Sequence, residues 1–340
     1  MMRYYRPLCQ TGLPMTLTAR RLAGGWSWFD HVEVLERGIA PRVIPVGDLP
    51  QSALQALTLP RAAHAGMAMD RPRIMGILNT TPDSFSDGGR FDNPDIAIAR
   101  ARELTVAGQH ILDIGGESTR PGAPEVPVDE EIARTAPVIA ALRRAGHEGP
   151  ISIDTRKAAV AEAAIAAGAD LVNDVSGFDF DPRMAEVVAR SGVAVCLMHA
   201  QGIPETMQDN PAYDDVLLDV YDALAERVAR AEMAGIHPAR ISVDPGIGFG
   251  KTEAHNIALI RGLSLFHGLG CPVLLGVSRK RFIGRIGGGD GGTAAGRMPG
   301  TVAITIEGLR QGAQMHRVHD VAEVTQALRL WQELQGGEQA

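Results

Sequence analysis

The chain has 340 residues, 45% hydrophobic and 21% charged with 39 glycines, enough to bury a sizeable core as one large domain or two small ones. Its formal net charge is −7 and it has no Lys/Arg cluster long enough to grip a phosphate backbone, which argues against nucleic acid as a partner. Three widely spaced cysteines without CxxC or CxxH spacing exclude a disulfide framework and a zinc site, and the longest apolar run, 192–198, is too short to span a bilayer, so a cytoplasmic protein is expected.

In chain order, residues 1–71 come first. They hold Trp26 and Trp28 and alternate apolar residues around 32–35 and 43–46, the pattern of a small appendage with extended structure. From Arg73 onward, short apolar segments alternate with longer helix-patterned ones eight times. The candidate strands are 73–79, 110–116, 150–155, 170–176, 194–199, 241–246, 273–278 and 315–320. Stretches between them such as 94–108, 129–145, 157–168 and 213–235 are rich in Ala, Leu, Glu and Arg, and several stop at a glycine where a helix C-cap belongs. Eight βα units predict an α/β chain closed into a (β/α)₈ barrel over residues 72–335, whose length is close to the roughly 250 residues typical of that fold. Residues 1–71 are then an N-terminal extension, and 336–340 a C-terminal tail.

In such a barrel the chemistry sits where each strand hands over to its βα loop. Asn79 lies at the end of the first candidate strand, Thr119 and Arg120 follow the second, Asp154 ends the third, and Asn173 and Asp174 fall in the fourth. Met198 and His199 end the fifth, Asp244 the sixth, Ser278 to Lys280 the seventh, and Arg317 and His319 the eighth. Eight strands delivering functional groups at one end predict a single site. Side-chain alternation predicts that Ser152/Asp154, Ser242/Asp244, Ser278/Lys280 and Arg317/His319 each point together and line one cavity.

Carboxylates at 154 and 244 beside the Asn173 amide suit the edge of a flat heterocycle, a pterin or a purine, because a carboxylate accepts two parallel N–H bonds. Arg120, Arg317 and His319 suit a polyanion. Asn79 is a neutral oxygen donor of the kind that completes an Mg²⁺ shell made mostly of water and substrate phosphate. Two further motifs fail on inspection. The segment from Gly246 to Thr252 imitates a phosphate-binding loop, but the position that needs its first glycine is Pro245. The glycine-rich run 287–292 lacks the strand-turn-helix grammar of a binding loop and reads as a flexible loop tip.

Taken together, ILNTTPDSFSDGG (77–89), ILDIGGESTRPGA (111–123), SIDTRK (152–157), LVNDVSG (171–177), LMHAQGIPETMQ (197–208), VDPGIGFGK (243–251), LLGVSRKRFIG (274–284) and MHRVHDV (315–321) resemble the dihydropteroate synthase family over roughly residues 73–325. The resemblance implies a (β/α)₈ homodimer that joins 6-hydroxymethyl-7,8-dihydropterin diphosphate to p-aminobenzoate, releasing pyrophosphate, with Mg²⁺ as cofactor. It places the metal on Asn79, and the diphosphate on Asn79, Arg120, Arg317 and His319. The pterin falls on Asp154, Asn173, Met198, Asp244, Phe249, Lys280 and Arg317. The p-aminobenzoate falls on Phe85, Thr119, Pro121, Ser278 and Lys280. Asp87, Lys280 and Asp154 carry the catalytic expectation, and the polar segment 79–90 looks like a loop that closes on the substrates. A methyltetrahydrofolate:corrinoid methyltransferase-like barrel would keep the pterin pocket but not the diphosphate residues, and a non-catalytic homologue would have lost one of these groups.

Overall fold

A computed structural model describes residues 2–13, 15–80, 94–118, 122–202 and 206–336. Phe85, Asp87, Thr119, Arg120, Pro121 and the closing-loop reading of 79–90 beyond Thr80 therefore lie outside the described residues.

The first 71 residues form a small layered unit. Strands β1 (Tyr4–Pro7), β4 (His31–Glu36) and β5 (Ile39–Pro45) make an antiparallel sheet in the order β1-β4-β5. A ribbon of β2 (Arg20–Arg21) and β3 (Trp28–Phe29) lies beside it, followed by helix α1 (Gln51–Thr58). Leu22, Phe29, Val32, Val46, Leu49 and Leu57 give it a core of its own. Trp26 does cover the barrel, donating Nε1–H to the Leu309 carbonyl at 2.7 Å, whereas Trp28 turns inward and donates to Gly12 within the extension at 2.9 Å.

The rest of the chain is a parallel barrel ringed by helices. Its strands are β6 (Arg73–Asn79), β7 (Ile111–Gly115), β8 (Ile151–Asp154), β9 (Leu171–Asp174), β10 (Ala194–Met198), β11 (Ile241–Asp244), β12 (Leu274–Leu275) and β13 (Met315–Val318). They pair in the order β11-β10-β9-β8-β7-β6-β13-β12, and a parallel bridge between Val243 and Val273 spans the remaining gap between β11 and β12. That gap is thin for a local reason. Pro272 has no N–H to offer, and the Val273 N–H goes to the Gln314 side chain at 2.9 Å instead of to a ladder partner. The expected strand 273–278 thus shortens to two residues.

Helices α2 (Pro94–Ala107), α3 (Val128–Arg144), α4 (Ala158–Ala167), α5 (Met184–Ser191), α6 (Val216–Met233), α7 (Glu253–Arg261), α8 (Arg281–Gly287), α9 (Met298–Arg310) and α10 (Val321–Leu334) follow the strands. Asp215 caps α6 by accepting the N–H groups of Leu217 and Leu218, and Thr252 closes a capping box on α7 with His255. The glycine-rich run is a 3₁₀ turn at 289–292 between α8 and α9. Arg297 fastens it by donating to the carbonyls of Gly291 and Gly292 at 2.7 and 3.0 Å.

Alternate residues of each strand point into the barrel. Its floor is apolar: Met75, Ile111, Leu171, Cys196, Leu274 and Met315 pack there with Met67 and Met69. These last two come from the end of the extension, delivered by a tight turn in which His64 and Met67 pair. The interior is thus closed from below, and polar groups gather at the strands' other ends.

Candidate active site

The top of the barrel opens into a cleft of about 1240 Å³. Asn79, Asp154, Asn173, Met198, Asp244, Phe249, Ser278, Lys280, Arg317 and His319 all line it, so every described residue that the resemblance assigns to a substrate meets in one place. Ser152 and Ser242 do not. Both are fully buried one residue layer below their aspartates, and Ser242 donates to the Val195 carbonyl at 3.2 Å. The expectation that they line the cavity is corrected: two residues along a strand share a face but differ in depth by nearly 7 Å, and the cleft floor lies between them.

The centre of the floor is a guanidinium shared by two carboxylates. Arg317 on β13 donates Nε–H to Asp113 on β7 and a terminal N–H to Asp154 on β8, each at 2.6 Å. The second oxygens, Asp113 Oδ1 and Asp154 Oδ1, are buried and accept nothing from the described residues. Two acids for one base leave a surplus negative charge in a desolvated place. Burial pushes the Asp154 carboxyl up to about 7, with Arg317 opposing and Asp113 reinforcing the rise. Burial works against the Arg317 charge, but Asp113 and Asp154 outweigh it and hold the guanidinium's pKa above the ordinary arginine range.

Asp244 sits across the floor. Its Oδ1 accepts the Gly246 N–H at 2.7 Å, and burial raises its pKa while Lys280 opposes. Burial brings Lys280 down to about 8, against the pull of Asp244. The Lys280 ammonium donates to the Ile247 carbonyl and stands 4.4 Å over the Phe249 ring, a cation–π contact. Ser278 and Lys280 both reach the cleft because Arg279 between them adopts a left-handed backbone (φ 57°), not because they alternate on a strand. An ion pair from Arg279 to Asp320 and a bond from its N–H to Thr301 Oγ1 at 3.0 Å keep it there. Ser278 Oγ in turn accepts the His319 N–H at 3.1 Å and meets His319 Nδ1 at 2.9 Å.

Two groups escaped sequence reasoning. Asp113 reads in the sequence as one residue of an apolar run, and only barrel closure sets it beside Arg317. Lys251 belongs to the motif discarded as a failed phosphate loop, yet its ammonium is buried in the cleft wall. It lies 2.9 Å from His199 Nδ1, 3.2 Å from the His199 carbonyl and 3.0 Å from that of Phe249. The glycines of that motif serve close packing: at Gly246 (φ 67°) a Cβ would stand 1.9 Å from the His199 carbonyl oxygen, so no other residue fits. The available signal is the odd glycine spacing, which marks backbone contact with His199 and Gln201 just after β10.

An Mg²⁺ ion with one protein ligand needs little from the chain. Asn79 Oδ1 and Asp154 Oδ2 both hang over Gly115, 3.7 and 3.8 Å from where its Cβ would lie. Asp154 Oδ2 is engaged by Arg317, leaving Asn79 as a neutral oxygen donor, and among the described residues no cluster of three His, Cys, Asp or Glu side chains could hold a metal by itself. This donor set fits a cation carried mainly by substrate phosphate.

A family model described as pterin binding enzyme matches residues 75–319. The dihydropteroate synthase of Neisseria meningitidis serogroup B is 47% identical over 280 residues, covering 81% of this chain and 96% of that protein. The chain belongs to the dihydropteroate synthase family. Among solved members, the Xanthomonas albilineans dihydropteroate synthase with 4-aminobenzoic acid superposes with a TM-score of 0.75 at 47% identity, over 81% of this chain and 98% of that one. The same organism's synthase in complex with 7,8-dihydropteroate gives 0.72 at 44% identity, over 81% and 99%. Family membership thus covers the barrel, and no helix among the described residues is long and apolar enough to cross a membrane.

Proposed function

We propose that this chain condenses 6-hydroxymethyl-7,8-dihydropterin diphosphate with p-aminobenzoate to give 7,8-dihydropteroate and pyrophosphate, as a homodimer in the cytoplasm. The observation that carries the chemistry is the polar floor: Asp154, Asn173 and Asp244 present acceptors around one flat space, two carboxylates there have raised pKa values, and His319 and Asn79 stand at its rim. The pterin's N–H edge bonds to Asp244 and to the open Oδ1 of Asp154, and Met198 and Phe249 flank the ring.

In the reaction the bond from the pterin methylene to the diphosphate oxygen breaks, its electron pair leaving with the oxygen. The arylamine nitrogen then bonds to the carbon and loses one proton. Positive charge developing on the methylene spreads into the dihydropterin ring, where Asp154 and Asp244 stabilise it across a desolvated gap. Arg317, His319 and Arg120 neutralise the leaving diphosphate, with Asp87 as the proton's acceptor. Bound at Asn79, Mg²⁺ supplies charge neutralisation to the diphosphate. The p-aminobenzoate takes the side of the cleft lined by Ser278 and Lys280, with Phe85, Thr119 and Pro121 as its further partners on the family resemblance.

Purified protein given both substrates and Mg²⁺ is expected to release pyrophosphate and form dihydropteroate, and to lose that activity when the metal is chelated. Absence of turnover in the complete mixture would refute the assignment.

Asp244→Asn is expected to weaken pterin binding by on the order of 1–3 kcal/mol, since an amide accepts through one atom where the carboxylate accepts through two. Asp244 accepts through both oxygens only when ionised, and burial has raised its pKa, so wild-type affinity falls as pH drops through that raised value. On the alkaline side Lys280 loses its proton near 8 and affinity falls again. Calorimetry across pH should show the acid limb shrink in Asp244→Asn to the part that Asp154 contributes as it titrates near 7, while the alkaline limb stays. An acid limb that persists unchanged would move the pterin edge elsewhere.

A further inference from the structure

The extension touches the barrel far from the chemistry, but one of its contacts leads back to the cleft. Arg37, in the turn between β4 and β5, donates to Asp219 Oδ1 at 2.6 Å and to Asp222 Oδ2 at 2.8 Å, both on the first turns of α6. Tyr4 OH joins the same Asp222 oxygen at 2.9 Å. The other oxygen of Asp219 looks the opposite way: Oδ2 accepts the backbone N–H groups of Asp214 and Asp215 at 3.0 and 3.2 Å. One carboxylate therefore joins the extension to the segment that precedes α6.

That segment holds the cleft wall by two bonds. Tyr213 OH donates to the Gly250 carbonyl at 2.8 Å, and Gln208 Nε2 donates to the Gly248 carbonyl at 2.8 Å. Phe249 lies between the two glycines, under Lys280. The chain of contacts runs from Arg37 through Asp219 to residues 208–215 and from them to the backbone on either side of Phe249. On the route through Tyr213 each link is a direct hydrogen bond or a covalent neighbour, and Gln208 joins it along the backbone five residues earlier.

We infer that Arg37 is a positioning residue, fixing through Asp219 the 208–215 segment and with it the Phe249 wall of the pterin pocket. The inference rests on the reading of that pocket as the pterin's. Wall position matters because small displacements of a packed ring change the fit of a rigid heterocycle. The pair is half-exposed, so its influence is modest and graded, within the several-fold range that surface ion pairs span.

Arg37→Met, which keeps the bulk and removes the charge, tests this with Arg37→Lys alongside. Backbone hydrogen exchange in the full-length protein is expected to speed up about two- to fivefold over residues 208–218 in Arg37→Met, with 224–233 at the far end of α6 unchanged. The Michaelis constant for pterin diphosphate is expected to rise about threefold with kcat and the p-aminobenzoate constant unchanged, and Arg37→Lys should recover part of both effects. Unchanged exchange at 208–218 would overturn the inference. So would exchange that rises equally through 224–233, since that means general loosening of α6, or faster local exchange with an unaltered pterin constant. Exchange is read without turnover, so a failure of the synthase assignment itself would show separately, as wild-type protein without activity.

Discussion

Arg317→Met is expected to abolish turnover and to remove about 3–5 kcal/mol of folding stability, the cost of stripping a buried charge of its partner. Here one cation serves two anions. Asp113 is fully buried and Asp154 nearly so, and each spends one oxygen on Arg317 while the other has no partner among the described residues. Without the guanidinium Asp154 cannot stay charged cheaply beside Asp113, so it takes up a proton at a pH where the unfolded chain would have released it. A folded-state pKa above the unfolded one means that folding binds protons, and stability then falls as pH rises between the two values. Asp154 already stands near 7 with Arg317 present, and losing the cation moves it higher. Urea unfolding of the variant should therefore show a larger deficit at pH 8 than at pH 6. Adding Asp113→Asn should recover part of the deficit at pH 8, because it removes one of the stranded charges. Equal deficits at the two pH values would mean that the carboxylates find other compensation, and the shared-guanidinium account would fail.

A chain beginning at Asp70 is expected to be strongly destabilised, whereas one beginning at Ala62 keeps the barrel's floor. Met67 and Met69 are 7% and 1% exposed and belong to the floor cluster with Met75, Ile111, Leu274 and Met315. Full burial of a methionine side chain contributes roughly 1.5–3 kcal/mol, and the cavity left behind adds to the loss. Removing both takes several kcal/mol from a domain whose whole margin is about 5–15 kcal/mol. Residues 1–71 taken as one dispensable extension would put the cut at the wrong place: the last turn of that stretch, from His64, is part of the barrel's packing. Thermal melts of the two truncated chains decide the matter, and similar midpoints would show that the floor closes without the two methionines. The shorter chain also keeps the apolar patches that Tyr4, Leu22 and Trp26 cover on α6 and the 263–312 region, so lower solubility is expected of both.

Local chemistry alone specifies much of this protein. Eight apolar segments separated by helix-patterned stretches are enough to predict a closed parallel barrel, because parallel strands buried on both faces read as continuous apolar runs and each needs its own crossover helix. Once the barrel is granted, the rule that function gathers where strands end selects Asn79, Asp154, Asn173, Asp244, Lys280, Arg317 and His319, and these do share one cleft. Depth and partnership are not legible in the same way. Ser152 and Ser242 obey the same alternation as their aspartates, yet sit a layer below the cleft, since periodicity fixes the face of a strand and not its height in the barrel. Asp113 and Arg317 are 204 residues apart and meet only because β13 closes on β6, next to β7, so no local pattern marks them as a pair. Lys251 is hidden by a motif that fails its own spacing rule, and its place behind Phe249 follows from glycines pressed against the backbone of His199 and Gln201 just after β10. The helix α1, the inward turn of Trp28 and the reach of Arg37 to Asp219 are likewise decided by which surfaces the extension covers, a question of area and charge matched between segments distant in the chain. Periodicity and residue chemistry act over one or two turns and so determine elements and the rim of the site; long-range closure determines which buried charges face each other, and with them the proton affinities on which the proposed reaction depends.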